Sequence, residues 1–301
     1  MPWRSERRLL AGLLAAAAST GHAGTLRYCD EPPTLSPRQQ DRVLRFAALV
    51  RGELERSGAR VALIARAGLD LSRFETRYSH AGIALVASAN GPWSVRQLYY
   101  ACDERRPRLY DQGLAGFLLG TSDPSIGYAS LVLLPDGPEA DALEHAALDD
   151  RTALDLLGAD YSANAHAYAV RYQNCNQWIA EMLGLAWGGL ERGAGARERA
   201  QGWLRQQGYA PTRFEVSPLL MLAGLVVPWL HRDDHPPDDL ARGVFRISMP
   251  ASIDAFVQAR LPAAQRVELC HDERRAVVRR GPAPIAPGCV PADGDRVVPF
   301  D

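Results

Sequence analysis

The chain has 301 residues, a formal charge of −1 and 47% hydrophobic residues. That near-balance gives no footing for nucleic acid or an anionic membrane surface, and the apolar share is enough for a packed core. All 34 basic residues are arginine, because the sequence contains no lysine. A P-loop lysine, a Schiff-base lysine and a Ser-Lys dyad are therefore excluded.

Arg4, Arg7 and Arg8 precede an apolar run from Leu9 to Ala18, followed by Gly21, His22 and Ala23. A basic flank, a short apolar core and small residues before a cut are the parts of a secretory signal peptide. The run is far shorter than the roughly 20 residues of a membrane span. Residues 1–23 read as a signal peptide cleaved after Ala23, which places residues 24–301 in the periplasm or outside the cell. In an oxidising compartment cysteines tend to pair. Of Cys29, Cys102, Cys175, Cys270 and Cys289, the last two flank a short segment that a bridge would close. Cys29 and Cys102 would then form a second bridge. Four half-cystines allow three connectivities, each leaving Cys175 free if it is the odd member.

Ser36 and Pro37 predict a helix start, and Val43, Phe46, Ala47, Val50 and Leu54 continue it at helical spacing as far as Gly58. Strands are predicted at Arg60–Ala65, Ala81–Ala87 and Ser94–Ala101, the last two forming a hairpin around Ser88–Pro92. A short helix over Tyr110–Leu119, a strand over Tyr128–Leu134 and helices over Pro138–Ala147 and Thr152–Leu157 follow. Asn174–Leu183 predicts a helix closed by Gly184, and Arg197–Gln207 an exposed, charged one. Strands at Val244–Met249 and Arg266–Cys270 flank a helix near Ser252–Arg260. The apolar stretch Leu219–Leu230, with Gly224 and Pro228, reads as a buried helix, with a lid or membrane-touching segment as the alternative. Strands and helices interleave without strict βαβ alternation, which indicates an α+β fold.

Asn174 is a good N-cap and puts Cys175 at the first helical position. A thiol there meets the positive end of the helix dipole and free backbone N–H groups, both of which favour thiolate. Trp178, Ile179, Met182 and Leu183 form the buried stripe of that helix. A cysteine hydrolase also needs an imidazole and a third polar group to fix the ring. His80, at the head of the Ala81 strand, supplies the first, and Gln97, on the returning strand, is the candidate for the second. Each has an ordinary structural reading as well: a buried thiol, a hydrogen-bonded histidine and an exposed strand glutamine.

The order of His in "SHAGI" at a strand start and Cys in "NCNQW" at a helix start resembles circularly permuted NlpC-type papain-fold proteins. Lecithin–retinol acyltransferase and its relatives share that order. More closely, "YSHAGIAL", "GPW", "LYDQGLAGF" and "RYQNCNQW" resemble a family of secreted bacterial proteins known as domain of unknown function 2145, over most of residues 26–275. The resemblance implies an antiparallel, papain-like sheet packed against the cysteine helix. It implies Cys175 as nucleophile, His80 as general base and acid, and Gln97 in a third position that is histidine in many relatives. The oxyanion hole would use the Cys175 N–H and a donor from Tyr172 or Asn174.

His231, Asp233, Asp234 and His235 crowd one short segment, but no HExxH pattern accompanies them and a solvated turn is expected. His166 is expected on the surface or in the core, and Ser122 and Ser125 lack the GxSxG elbow. No phosphate-cradling loop, dinucleotide fingerprint or zinc CxxC pair is present, so no cofactor or metal is expected. The reading is a single α+β papain-like domain over residues 24–301, with a C-terminal extension from about residue 210. Its expected function is that of an exported Cys-His hydrolase or acyltransferase acting on a cell-envelope peptide, lipid or protein amide or ester. A non-catalytic envelope binding or structural protein of the same fold is the alternative. Neither nucleic acid nor a stable membrane span is expected.

Overall fold

The computed structural model describes residues 35–120, 125–223 and 227–300. The predicted signal peptide, Cys29 and Ser122 lie outside them, as do residues 224–226 of the apolar stretch. Helix α1 spans Pro37–Ser57. Its cap is reciprocal: Gln39 N–H donates to Ser36 Oγ at 3.3 Å, and Ser36 N–H donates to Gln39 Oε1 at 2.9 Å. Gly58, at φ 72°, ends it in the left-handed conformation that glycine adopts freely. Strands β1 (Val61–Arg66), β2 (His80–Leu85), β3 (Ser94–Ala101) and β4 (Arg106–Gln112) follow, then helix α2 (Leu114–Leu119) and β5 (Gly127–Leu133). Next come α3 (Pro138–Leu148), α4 (Asp150–Asp155), the short strands β6 (Asp160–Tyr161) and β7 (Tyr172–Gln173), and the helices α5 (Cys175–Trp187) and α6 (Ala196–Gln206). The chain continues through β8 (Thr212–Glu215), α7 (Pro218–Ala223), α8 (Pro237–Ala241), β9 (Val244–Ile247), α9 (Pro250–Arg260), β10 (Gln265–His271), β11 (Arg275–Arg280) and β12 (Arg296–Pro299).

Eight strands form one antiparallel sheet in the order β12-β11-β10-β5-β1-β2-β3-β4. The fold is thus mixed α+β, built on a large antiparallel sheet. One face, carrying Ala62, Ile64, Ala84, Val95, Leu131 and Leu269, packs against α1 and α2. The other, carrying Leu63, Ala65, Ala81 and Val132, meets Ile179 of α5 and Ile253 of α9 around an apolar cavity of about 80 Å³. The segment beyond residue 210 supplies three of the eight strands, and β10 pairs with β5 inside the sheet. Among the described residues no helix is long and apolar enough to cross a membrane.

Several details depart from the sequence reading. Residues 106–112, read in part as helix, form β4, an edge strand where Pro107 and three arginine or aspartate side chains are tolerated because one side of the ladder stays unpaired. Gly184 does not close α5, which runs on to Trp187 with Gly188 as cap. A Cβ at Gly184 would lie 2.8 Å from Ala200 O, so this glycine exists for the close approach of α6. The segment His231–His235 is not a solvated turn, since the side chains of Asp234 and His235 are fully buried. Asp234 Oδ2 accepts from His166 N–H at 2.8 Å, and His235 Nε2 donates to Asn164 O at 2.8 Å. Among the described residues no His, Cys, Asp and Glu cluster is placed to hold a metal. The predicted Cys270–Cys289 bridge is present, and Cys102 is disulfide-bonded.

The predicted exposed helix α6 buries Arg197, whose Nε donates to Glu181 Oε2 at 2.9 Å. Gln173 and Gln201 also donate to Glu181, tying α5, α6 and the lead-in to Cys175 together. Burial pushes the Glu181 carboxyl up against the pull of Arg197. Removing one partner leaves a buried charge uncompensated, whereas replacing both with apolar side chains does not. Glu181→Ala is therefore expected to lower unfolding free energy by about 3–5 kcal/mol, read from the urea midpoint. Glu181→Leu combined with Arg197→Met should recover only part of that loss, because the buried Gln173 and Gln201 amides lose their acceptor.

Candidate active site

The site forms where β2 and α5 both begin. Val86 N–H donates to Arg60 O at 3.0 Å, and Leu85 O accepts from Trp93 N–H at 2.8 Å. Bonding direction alternates along an antiparallel ladder, so odd-numbered residues of β2 turn their peptide groups toward β3. Yet β3 pairs only with Ile83, Ala84 and Leu85, which leaves the Ala81 N–H facing an open rung. The Cys175 sulfur lies on this side of the strand, where the N–H groups of Ala81, Asn176 and Cys175 itself act on it and favour its thiolate.

Two asparagines fix α5 in that place. Asn174 Oδ1 accepts from Gln177 N–H at 2.7 Å as the helix cap. Asn176 Nδ2 donates to Ser79 O at 3.0 Å, pinning the first helical turn to the peptide before His80. Asn176 was not singled out in the sequence; the repeated asparagine in "NCN" was its only signal.

The His80 ring projects from the face that packs on α2, since side chains alternate along a strand. It lies between Tyr99, with centroids 4.8 Å apart, and Phe117, at 5.8 Å. Its Nε2 is 2.7 Å from Gln97 Oε1. Gln97 Nε2 in turn donates to Gln112 Oε1 at 2.7 Å, which orients the amide so that its oxygen faces the ring. His80 is thereby held as the Nε2–H tautomer, with the Nδ1 lone pair unpartnered among the described residues. Glycine at 82 makes this possible, because a Cβ there would stand 2.3 Å from Val95 Cγ1 and 3.4 Å from Gln97 Cβ.

The structure therefore brings His80 and Gln97 into contact and sets the Cys175 sulfur beside the same His80–Ala81 peptide. Among the described residues no hydrogen bond joins sulfur and imidazole. The two expected oxyanion donors have other partners. Tyr172 Oη donates to Asp233 Oδ2 at 3.3 Å while its ring stacks on His231, and the Asn174 side chain is spent on the cap and on Ala163 O.

Burial governs the charges. It pushes the Cys175 thiol up to about 11, against the opposing pull of Arg66 and of the three N–H groups. Burial also lowers His80 to about 3; the Arg66 charge adds to that, and the Gln97 bond opposes it. The resting pair at neutral pH is thiol and imidazole. The helix N-terminus does favour thiolate, as expected from sequence, but desolvation of a side chain that is only 7% exposed outweighs it.

A mixed α+β protein with a buried cysteine and a Gln-anchored histidine at one strand end is the class that fold and site define. Within it, residues 53–257 match DUF2145, described as an uncharacterised protein conserved in bacteria, and the chain belongs to that family. No curated protein and no solved structure matches the chain.

Two pH responses follow. Alkylation of Cys175 by iodoacetamide is expected to be slow at pH 7 and to climb toward pH 11, as followed by mass spectrometry of the Cys175 peptide. His80 is depressed from 6.5 to about 3, so below pH 6.5 the unfolded chain binds a proton that the folded one refuses. Stability conferred by the neutral ring is complete above pH 6.5 and is lost as pH falls toward 3. His166, depressed to about 4, adds to the same slope. Urea midpoints between pH 7 and 4 should fall, and His80→Gln should make the fall shallower.

Proposed function

We propose that this protein is an exported thiol hydrolase or acyltransferase of papain-like, permuted NlpC-type fold, acting on an amide or ester of the cell envelope. The observation that carries the reading is the end of the β2–β3 ladder, where the head of a helix sets a thiol beside the His80–Ala81 peptide and Gln97 fixes the tautomer of the His80 ring. The order of histidine at a strand start and cysteine at a helix start supports it, and so does the signal-peptide pattern at residues 1–23. Peptide amides suit a periplasmic or secreted enzyme best, with lipid esters and protein amides as the other candidate substrates.

The mechanism follows from the neutral resting pair. Cys175 Sγ bonds to the substrate carbonyl carbon as its proton passes to His80 Nδ1, so thiolate never accumulates. The carbonyl oxygen becomes an oxyanion that accepts from the N–H groups gathered at the head of α5. His80 then returns the proton to the departing amine or alkoxide as the C–N or C–O bond breaks, leaving an acyl group on sulfur. Water or an acceptor, deprotonated by His80, releases it. Gln97 holds the ring by accepting from Nε2–H; an amide orients imidazolium but does not neutralise it, as a carboxylate would.

A second reading, a binding or structural protein that kept the fold without catalysis, draws on one observation: the thiol is buried and raised to about 11. Incubation with p-nitrophenyl acetate and a peptidyl thioester separates the two. The enzyme reading expects an acyl adduct on the Cys175 peptide, none with Cys175→Ala, and acylation slowed about 10²–10⁴-fold by His80→Ala. Gln97→Ala should slow it less while leaving the adduct site unchanged. No adduct on a folded wild-type protein, with Cys175→Ala equally stable, would select the non-catalytic reading.

A further inference from the structure

Arg66 ends β1 directly opposite His80 in the ladder. It is 4% exposed, and an arginine stays charged at every accessible pH. Buried charges are normally paired, as Arg197 is here with Glu181 and Arg77 with Glu268. Among the described residues no carboxylate pairs with Arg66, and its Nε is a buried donor without a partner. Nη2 donates to Tyr99 Oη, whose ring lies tilted beside that of His80. The guanidinium carbon lies 5.9 Å from the Tyr99 centroid and 5.4 Å from that of Phe117. Two glycines make room for it: a Cβ at Gly120 would stand 2.3 Å from Cζ, and one at Gly68 3.0 Å from Nη1. The chain thus builds a slot for a planar cation beside the imidazole, from which the Arg66 charge also acts on the Cys175 sulfur, and among the described residues it supplies no anion to it.

We propose that Arg66 is the subsite for a free carboxylate of the substrate, held close to the carbonyl that Cys175 attacks. A single planar cation between two aromatic rings suits a planar monoanion. A phosphate dianion would call for a second cation, and the other basic group of the cluster, His80, is neutral. The assignment rests on the hydrolase reading for the acyl group that bears the anion, and narrows its substrates to amides or esters with a carboxylate near the scissile bond. Such an anion also offsets the positive charge that disfavours protonated His80, so binding of the correct substrate equips the ring to take the thiol proton.

The test needs no turnover. Iodoacetate and iodoacetamide both alkylate sulfur by the same displacement of iodide, with the thiol proton released to His80 or water. They have nearly the same size, so access to the buried sulfur cancels in their rate ratio. A thiol without an anion subsite reacts faster with the neutral reagent, because the attacking thiolate repels an anion. Wild-type protein is expected to be alkylated at Cys175 about tenfold faster by iodoacetate, with saturation, as one charge-assisted contact implies. Sodium acetate should protect against iodoacetate more than against iodoacetamide, a readout that needs no variant. Arg66→Gln should reverse the ratio, and Arg66→Lys should retain part of it. A wild-type ratio favouring iodoacetamide, or protection by inorganic phosphate but not by acetate, would overturn the carboxylate assignment. Selective iodoacetate labelling without any acyl adduct would keep the subsite and remove the hydrolase; an adduct with no anion preference would do the reverse.

Discussion

The missing side chain of Gly82 is the constraint on which the site depends. Any Cβ there would run into Val95 and press on Arg96 O at 3.1 Å, so only glycine lets β3 cross β2 at that distance. The crossing has two consequences. It carries Gln97 over to the His80 ring, fixing the tautomer, and it ends the β2–β3 ladder at Ile83. A strand that stopped pairing there would normally leave a buried N–H group unsatisfied, at a cost of about 1–3 kcal/mol. Here the Ala81 N–H acts on the Cys175 sulfur at the head of α5. One glycine thus positions both the histidine's partner and the opening through which the thiol approaches.

Two opposing influences act on the sulfur, and their sizes decide its state. A helix N-terminus and directed N–H groups stabilise a thiolate, an effect of about 0.3–2 kcal/mol for the dipole. Desolvation acts the other way and moves fully buried groups by up to 3–5 units. Burial therefore prevails, and the thiol ends up above its ordinary value rather than below it. The same burial acts on the imidazole with opposite sign and keeps it uncharged. Solvent exclusion gives an inert resting pair whose reactivity depends on what enters the site.

The sequence carried the strong local signals and missed those that arise across distance. Ser36-Pro37 and Asn174 announced their helices because capping is chemistry within four residues. The hairpin carrying His80 and Gln97 was legible from its turn cluster, although its register was not. β4 was misread because an edge strand holding Pro107 and alternating charges lacks apolar periodicity. Gly184 looked like a helix stop, but its reason lies in Ala200, on the next helix. The His231–His235 segment read as solvated because its burial is set by His166 and Asn164, more than 60 residues away. Arg66 gave no signal at all. An arginine at a strand end is ordinary, and only the fold brings Gly68 and Gly120 around it.

The arrangement of charge also limits the chemistry available. Many thiol enzymes rest as a thiolate–imidazolium pair, in which the ring supplies the positive charge next to sulfur. Here Arg66 already stands opposite His80 and acts on both groups. A second cation on the imidazole would face it across a desolvated space, where Coulomb repulsion is far stronger than in water. Gln97, being neutral, does not offset that repulsion, whereas a carboxylate in its place would. The site therefore accommodates one net positive charge. An attack in which the proton leaves sulfur only as the new C–S bond forms respects that limit, because negative charge grows on the carbonyl oxygen as positive charge grows on the ring. A preformed ion pair has the same net charge, but it would need a standing thiolate on a sulfur whose burial raises the thiol to about 11.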